Sequence, residues 1–215
     1  MAINPQDRIH GACISEIVLG LSTAAPSVRV NVTAGADRST YLFDCFEINT
    51  QRTCQFGLYV KYSRKRLSPW TYSYDQDHQQ ELKNIAKTTG DAFSVFINGE
   101  DGYACVDYQE LRELLDDHFD EIEWVRVQRK LRESYRISGT DGARERPLAQ
   151  AAFPQKIVDY VSGKLTGVVS ESATELTPAL VMEQNSSATQ QPTPPSNIES
   201  PTPSGIKAVL RRLLG

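Results

Sequence analysis

The sequence lacks a run of about 18 consecutive apolar residues, so it does not predict a membrane-spanning helix. Its N-terminus lacks the basic-then-apolar layout of a signal peptide, and we therefore expect a cytoplasmic protein. The chain contains only 4 cysteines, and none lies in a C-x-x-C pair, which argues against a zinc site. In a reducing compartment we expect buried free thiols at Cys13, Cys45, Cys54 and Cys105.

Several catalytic signatures are also missing. The chain has no P-loop, no G-x-G-x-x-G and no recognisable Ser/His/Asp set, so nucleotide hydrolysis, dinucleotide chemistry and acyl transfer have no support. The net charge is −4, so the overall charge does not argue for nucleic-acid binding.

Composition divides the chain into four parts. Residues 1–146 hold both tryptophans and nearly all aromatic residues, and they predict one compact domain. Residues 147–169 predict a weakly structured helical extension. Residues 170–204 have no aromatic residue and are rich in Ser, Thr, Pro and Gln, so they bury too little apolar surface to offset the entropy cost of ordering. We expect that segment to be a disordered linker, followed by a short amphipathic basic helix at 205–215.

Hydrophobic periodicity predicts a mixed α/β fold for the first part. Its core is helix, three strands, helix and strand, to which a further helix and a C-terminal hairpin are added. The predicted elements are a helix at 7–21, strands at 28–32, 41–48 and 56–63, a loop at 64–74, a helix at 75–88, strands at 92–97 and 103–106, a helix at 108–118, and a hairpin over 124–138.

The order of elements over residues 7–97 resembles the core of the PD-(D/E)xK nuclease superfamily. By position, Asp44 corresponds to the metal-binding Asp on the second strand, Glu16 to the acid of the first helix, and Lys61 to the lysine of the (D/E)-x-K triplet. In such a site two carboxylates hold Mg²⁺ while the lysine stabilises developing charge. The resemblance therefore implies a magnesium-dependent DNA or RNA endonuclease.

The triplet departs from the family pattern at its acid. In Tyr59-Val60-Lys61 a phenol, with a pKa of about 10, stands where the second carboxylate belongs, and a phenol is a poor magnesium ligand. We therefore predict a non-catalytic or degenerate adaptor module of a larger assembly, with the endonuclease as the alternative and Mg²⁺ as its cofactor. Lys61 also has a packing explanation, with its stem against apolar neighbours and its amine in water.

Cations are clustered in two segments, and aromatic residues flank the first of them. Bases stack on aromatic rings and phosphates pair with cations, so Arg64, Lys65, Arg66 and Trp70 are the candidate nucleic-acid-binding residues. The competing interpretation places the aromatic residues in the core. The second cluster comprises Arg126, Arg129, Lys130, Arg132 and Arg136. If the fold brings both clusters to one face, that face attracts phosphate.

The segment 205–215 has the clearest interaction pattern, because five aliphatic residues share one helical face. About ten residues are too few for a stable helix alone in water. We predict that it folds in the groove of a protein partner. The alternatives are an anionic membrane surface and packing on its own domain. The candidate partner-binding residues are Ile206, Val209, Leu210, Leu213 and Leu214.

Overall fold

A computed structural model describes residues 4–35, 37–119 and 121–166. The predictions for residues 170–204 and 205–215 lie outside the described residues. The described elements are the helices α1 (Pro5–Ala24), α2 (Gln76–Thr89), α3 (Tyr108–Leu114) and α4 (Ala152–Thr166), and the strands β1 (Val28–Ala34), β2 (Thr40–Glu47), β3 (Thr53–Ser63), β4 (Trp70–Tyr74), β5 (Ala92–Asn98), β6 (Tyr103–Asp107), β7 (Glu123–Gln128) and β8 (Arg136–Gly139).

The strands form two sheets, and the predicted mixed α/β class is confirmed. The larger sheet has the order β1-β2-β3-β5-β6, with β3 and β5 parallel and the other neighbours antiparallel. The smaller sheet is antiparallel, with the order β4-β7-β8. The parallel pair needs a long crossover, which β4 and α2 supply.

The larger sheet separates two apolar cores because its side chains alternate between faces. Phe43 on β2 and Leu58 on β3 belong to the core that α1 and α4 cover. Tyr59 on β3 and Phe96 on β5 point to the other face, where β4, β7, α2 and α3 pack. The four cysteines are free and buried, as the sequence predicts.

Helix α4 belongs to the folded domain, so the boundary expected at residue 146 differs from the structure. Its apolar face enters the core beside α1, where Ile157 and Val161 are fully buried. The segment is therefore an integral layer of the core and not the weakly structured extension that its sequence predicts.

Strand β4 lies where the sequence predicts a loop. Trp70, Tyr72 and Tyr74 are buried while Thr71 and Ser73 are exposed, which is the period-two pattern of a strand with one face on a core. Each residue of β4 pairs with a residue of β7. The loop prediction is wrong because the alternating pattern covers only five residues and directly follows Pro69, a residue typical of loops.

The helix ends follow ordinary capping chemistry. The Asp75 carboxylate accepts a hydrogen bond from the backbone N–H of His78, and Gly90 ends α2 in the left-handed conformation, with a φ of 88°. Helix α3 ends at Leu114, earlier than predicted. Within the part of the chain that the structure describes, no helix is long and apolar enough to cross a membrane.

Candidate functional site

The three predicted catalytic residues lie in three different places. Glu16 is exposed on α1, on the face of the larger sheet that holds Phe43. Asp44 follows Phe43 on β2, so its side chain is on the opposite face. Asp44 pairs with Gln55, and Lys61 lies six residues further along β3 on that same face, roughly 20 Å away. The expected convergence of Lys61, Asp44 and Glu16 is therefore wrong.

The two predicted metal ligands cannot hold one ion, because the sheet separates them. Asp44 instead accepts a hydrogen bond from the side-chain amide of Gln55 across the strand pair. Among residues 4–35, 37–119 and 121–166, no group of three or more His, Cys, Asp or Glu side chains is arranged to hold a metal ion.

Lys61 has a structural environment that explains its place on β3. Its ammonium donates to the carbonyl oxygen of Ser73 at 2.8 Å and lies 3.2 Å from Nδ1 of His78. It also sits over the rings of Tyr59 and Tyr74, at 5.1 and 4.7 Å from their centroids. Burial lowers the pKa of Lys61 to about 8. The side chain thus connects β3, β4 and the first turn of α2.

Trp70 is not available to stack on a base. Its side chain is 1% exposed, and its indole N–H donates to the carbonyl oxygen of Lys65 at 2.7 Å. The competing interpretation, in which the aromatic residues around the first basic cluster belong to the core, is confirmed for Trp70, Tyr72 and Tyr74. Trp70 therefore stabilises the loop that carries the cations.

The fold brings the two basic clusters together. The loop at 64–69 and the β7–β8 turn at 129–135 meet where the backbone N–H of Arg129 donates to Oγ of Ser68 at 2.9 Å. Both segments line a cleft of about 250 Å³, to which Arg66 and Lys130 contribute. An adjoining cleft of about 400 Å³ shares Ser68 and Lys130 and extends to Arg136.

An acidic side chain fixes the base of the first cleft. Asp101 accepts hydrogen bonds from the Arg129 guanidinium, one of them at 2.7 Å, and from the Tyr135 hydroxyl at 2.9 Å. The guanidinium holds the pKa of Asp101 below its ordinary value. Arg129 is therefore neutralised within the fold, and it positions the turn that carries Lys130.

The loop at 64–69 is braced from two further directions. The ammonium of Lys65 donates to the carbonyl oxygen of Pro69 at 2.7 Å. A Cβ added to Gly99, in the β5–β6 turn, would lie 2.7 Å from the carbonyl oxygen of Lys65, so the two backbones approach closely. These contacts hold the loop in one position before any partner arrives.

We call the face formed by residues 64–69 and 129–136 the basic loop surface. The exposed Glu133 lines the second cleft, and the exposed Glu100 follows Gly99 in the turn that approaches Lys65, so both carboxylates are counted with this surface. The surface thus has a local charge of +4 on a chain whose net charge is −4. Its exposed cations are Arg64, Lys65, Arg66, Lys130, Arg132 and Arg136.

Two leucines protrude from the basic loop surface, and our sequence reasoning missed them. Leu67 and Leu131 are 72% and 85% exposed and line the same cleft. They are the two most exposed large apolar side chains among the described residues. A signal for them is present in the sequence, because each leucine directly follows a run of cations. Ser68 and Asp101, which join and fix the segments, carry no comparable signal.

Comparison with known proteins gives no match to a protein-family model, to a curated protein or to a solved structure. The function must therefore be argued from the residues of this chain.

Proposed function

We propose that this protein is a non-catalytic binding module that holds phosphate-bearing polyanions on the basic loop surface. The observation that carries the proposal is the contact between Ser68 and Arg129, where two distant segments that together carry six exposed cations meet. Local positive potential on an otherwise acidic chain steers anionic partners to that place.

The arrangement suits contact with phosphate and not chemistry on it. Among the described residues, no cluster of carboxylates that would bind a catalytic metal ion lies near the cations of the basic loop surface. Lys61, which the nuclease resemblance would make catalytic, donates its hydrogen bond to a backbone carbonyl instead. The predicted role of Arg64, Lys65 and Arg66 in binding a nucleic-acid backbone is kept in this proposal, without base readout.

The adaptor role stays part of the proposal. A module that recognises only phosphate has little selectivity, so a second contact is needed to place it in an assembly. The segment 205–215 is the predicted second contact, and it lies outside the described residues.

Binding of long-chain inorganic polyphosphate to the full chain tests the proposal, because this probe carries phosphate without bases or lipid. The double variant Arg66→Glu/Lys130→Glu should weaken binding by at least about tenfold and flatten its salt dependence. Arg8→Glu/Arg29→Glu changes the net charge equally, on exposed positions of α1 and β1, and should leave binding within about twofold.

If the two double variants lose affinity for polyphosphate equally, binding depends only on the total charge of the chain, and the proposal is overturned. A binding curve that neither variant changes would place the polyanion elsewhere on the chain, with the same consequence. Circular dichroism at the temperature of the assay confirms that both variants are folded.

A further inference from the structure

The two protruding leucines distinguish among the polyanions that the basic loop surface could meet. Single exposed apolar side chains are normal on a protein surface and need no explanation. Here Leu67 and Leu131 come from loops far apart in sequence, yet they line one cleft. Cations directly precede Leu67 and stand on both sides of Leu131, so the patch combines apolar tips with neighbouring positive charge.

Turn geometry holds Leu131 outward. The backbone N–H of Glu133 donates to the carbonyl oxygen of Lys130 at 3.0 Å, which closes a four-residue turn. Leu131 is the second residue of that turn, and Arg132 is the third, with a φ of 65°. A leucine at the corner of a closed turn is directed away from the domain, and its exposed fraction of 85% agrees with this.

We infer that the polyanion recognised by the basic loop surface is the anionic face of a lipid bilayer; this inference rests on the proposed function. The cations next to the leucines pair with phosphate and carboxylate headgroups. The two leucine side chains enter the boundary between headgroups and acyl chains, which lies about 5–10 Å deep. The basic loop surface thus lies flat on the membrane with its two apolar tips inserted.

Nucleic acid explains the same surface less completely. Stacking of bases on aromatic rings is the main source of affinity for single strands, and Trp70, Tyr72 and Tyr74 are all buried. A duplex backbone pairs with the cations but gives the leucines no apolar partner. A bilayer accounts for both kinds of side chain.

The test is sedimentation of the full chain with vesicles of phosphatidylcholine and phosphatidylserine in about a three-to-one ratio, compared with phosphatidylcholine alone. Leu67→Gln/Leu131→Gln should reduce partitioning to the anionic vesicles by about tenfold, because the charge is unchanged and only the inserted apolar area is lost. The matched control is Leu19→Gln/Ile122→Gln, at positions that are 63% and 70% exposed elsewhere on the domain. It should partition like the wild type.

The polyphosphate assay separates this inference from the proposed function. The leucine variant should bind polyphosphate with wild-type affinity, although its partitioning to anionic vesicles is reduced. If the leucine variant sediments with anionic vesicles like the wild type, the membrane inference is overturned and the proposed function stands. The inference also fails if the wild type ignores anionic vesicles but binds single-stranded DNA. If the wild type does not bind polyphosphate, both the membrane inference and the proposed function are overturned.

Discussion

Oγ of Ser68 accepts a hydrogen bond from the backbone N–H of Arg129 at 2.9 Å, across a sequence separation of 61 residues. This bond joins a loop between two sheets to the turn of a hairpin, and each partner brings its own cations. The basic loop surface therefore combines cations from two segments that are far apart in the sequence. The pairing of β4 with β7 brings the two segments together, and the Ser68 side chain fixes their ends next to each other.

Replacement of Ser68 tests this relationship. Ser68→Ala removes the acceptor and leaves the N–H of Arg129 to water, so we expect the free energy of unfolding to fall by about 1 kcal/mol. The ends of the two loops should also be held less firmly next to each other, although β4 stays paired with β7, and affinity for polyphosphate should fall several-fold. Urea unfolding and the polyphosphate assay measure the two effects. Ser22→Ala on the exposed side of α1 is the control and should change neither; a similar response of both variants would contradict the proposed link.

Lys61 should make stability depend on pH. Burial lowers the pKa of its ammonium to about 8 in the fold, below the ordinary value of 10.5. The unfolded chain therefore binds the Lys61 proton more tightly than the folded chain does. The contribution of Lys61 to the free energy of unfolding rises as pH increases from 8 to 10.5, and it is lost as pH falls through 8. Lys61→Met removes this term, so the stability of the wild type relative to the variant should rise over that interval.

The comparison uses the difference between the two proteins because cysteines and tyrosines titrate in the same range and contribute equally to both. Urea unfolding at several pH values gives that difference. A constant difference from pH 7 to 10.5 would show that the lysine is not perturbed by burial.

Removal of the hydroxyl should change the free energy of unfolding differently at two buried tyrosines of the same core. The Tyr72 hydroxyl lies 2.9 Å from the carbonyl oxygen of Ile97 and 2.8 Å from Oδ1 of Asn98, and it donates to this pair of acceptors. Tyr72→Phe should therefore cost about 1–2 kcal/mol in thermal or chemical unfolding. The Tyr59 hydroxyl has no hydrogen-bond partner in the described structure, so Tyr59→Phe should be neutral or slightly stabilising. The reverse order would mean that the Tyr59 hydroxyl is satisfied.

Incubation of nucleic acids with the purified chain distinguishes the nuclease alternative from the proposed binding module. Because Glu16, Asp44 and Lys61 do not converge, we expect single-stranded and duplex DNA, and RNA, to stay intact with the purified chain and Mg²⁺. Lys61→Ala should then make no difference to the gel pattern. Cleavage that requires Mg²⁺ and disappears in Lys61→Ala would restore the catalytic interpretation.

Local pattern was sufficient to predict most elements of the fold. The alternation of Val28, Val30 and Val32 predicts β1, and Asp75 with Gly90 delimits α2, because these signals depend on nearby residues alone. Strand β4 carries the same period-two pattern, but over only five residues that directly follow Pro69, and such a stretch is also typical of a loop. Helix α4 was predicted, yet its burial was not, since burial depends on the apolar sheet face that it meets.

The candidate site was predicted only in part, for a similar reason. The two basic clusters are visible in the sequence, and so is the expectation that a shared face would attract phosphate. Whether the two clusters share a face depends on the pairing of β4 with β7. No local pattern in the sequence predicts that pairing. The register of β2 on β3 likewise decides the distance between Asp44 and Lys61, and the order of strands alone does not determine it.

Backbone amide chemical shifts of the full chain, recorded with and without polyphosphate, test directly whether the basic loop surface holds the polyanion. We expect the perturbed amides to cluster in two segments, residues 64–69 and 129–136, and Arg66→Glu/Lys130→Glu to abolish these shifts. Perturbations confined to residues 205–215, or spread over α1 and β1, would contradict this expectation.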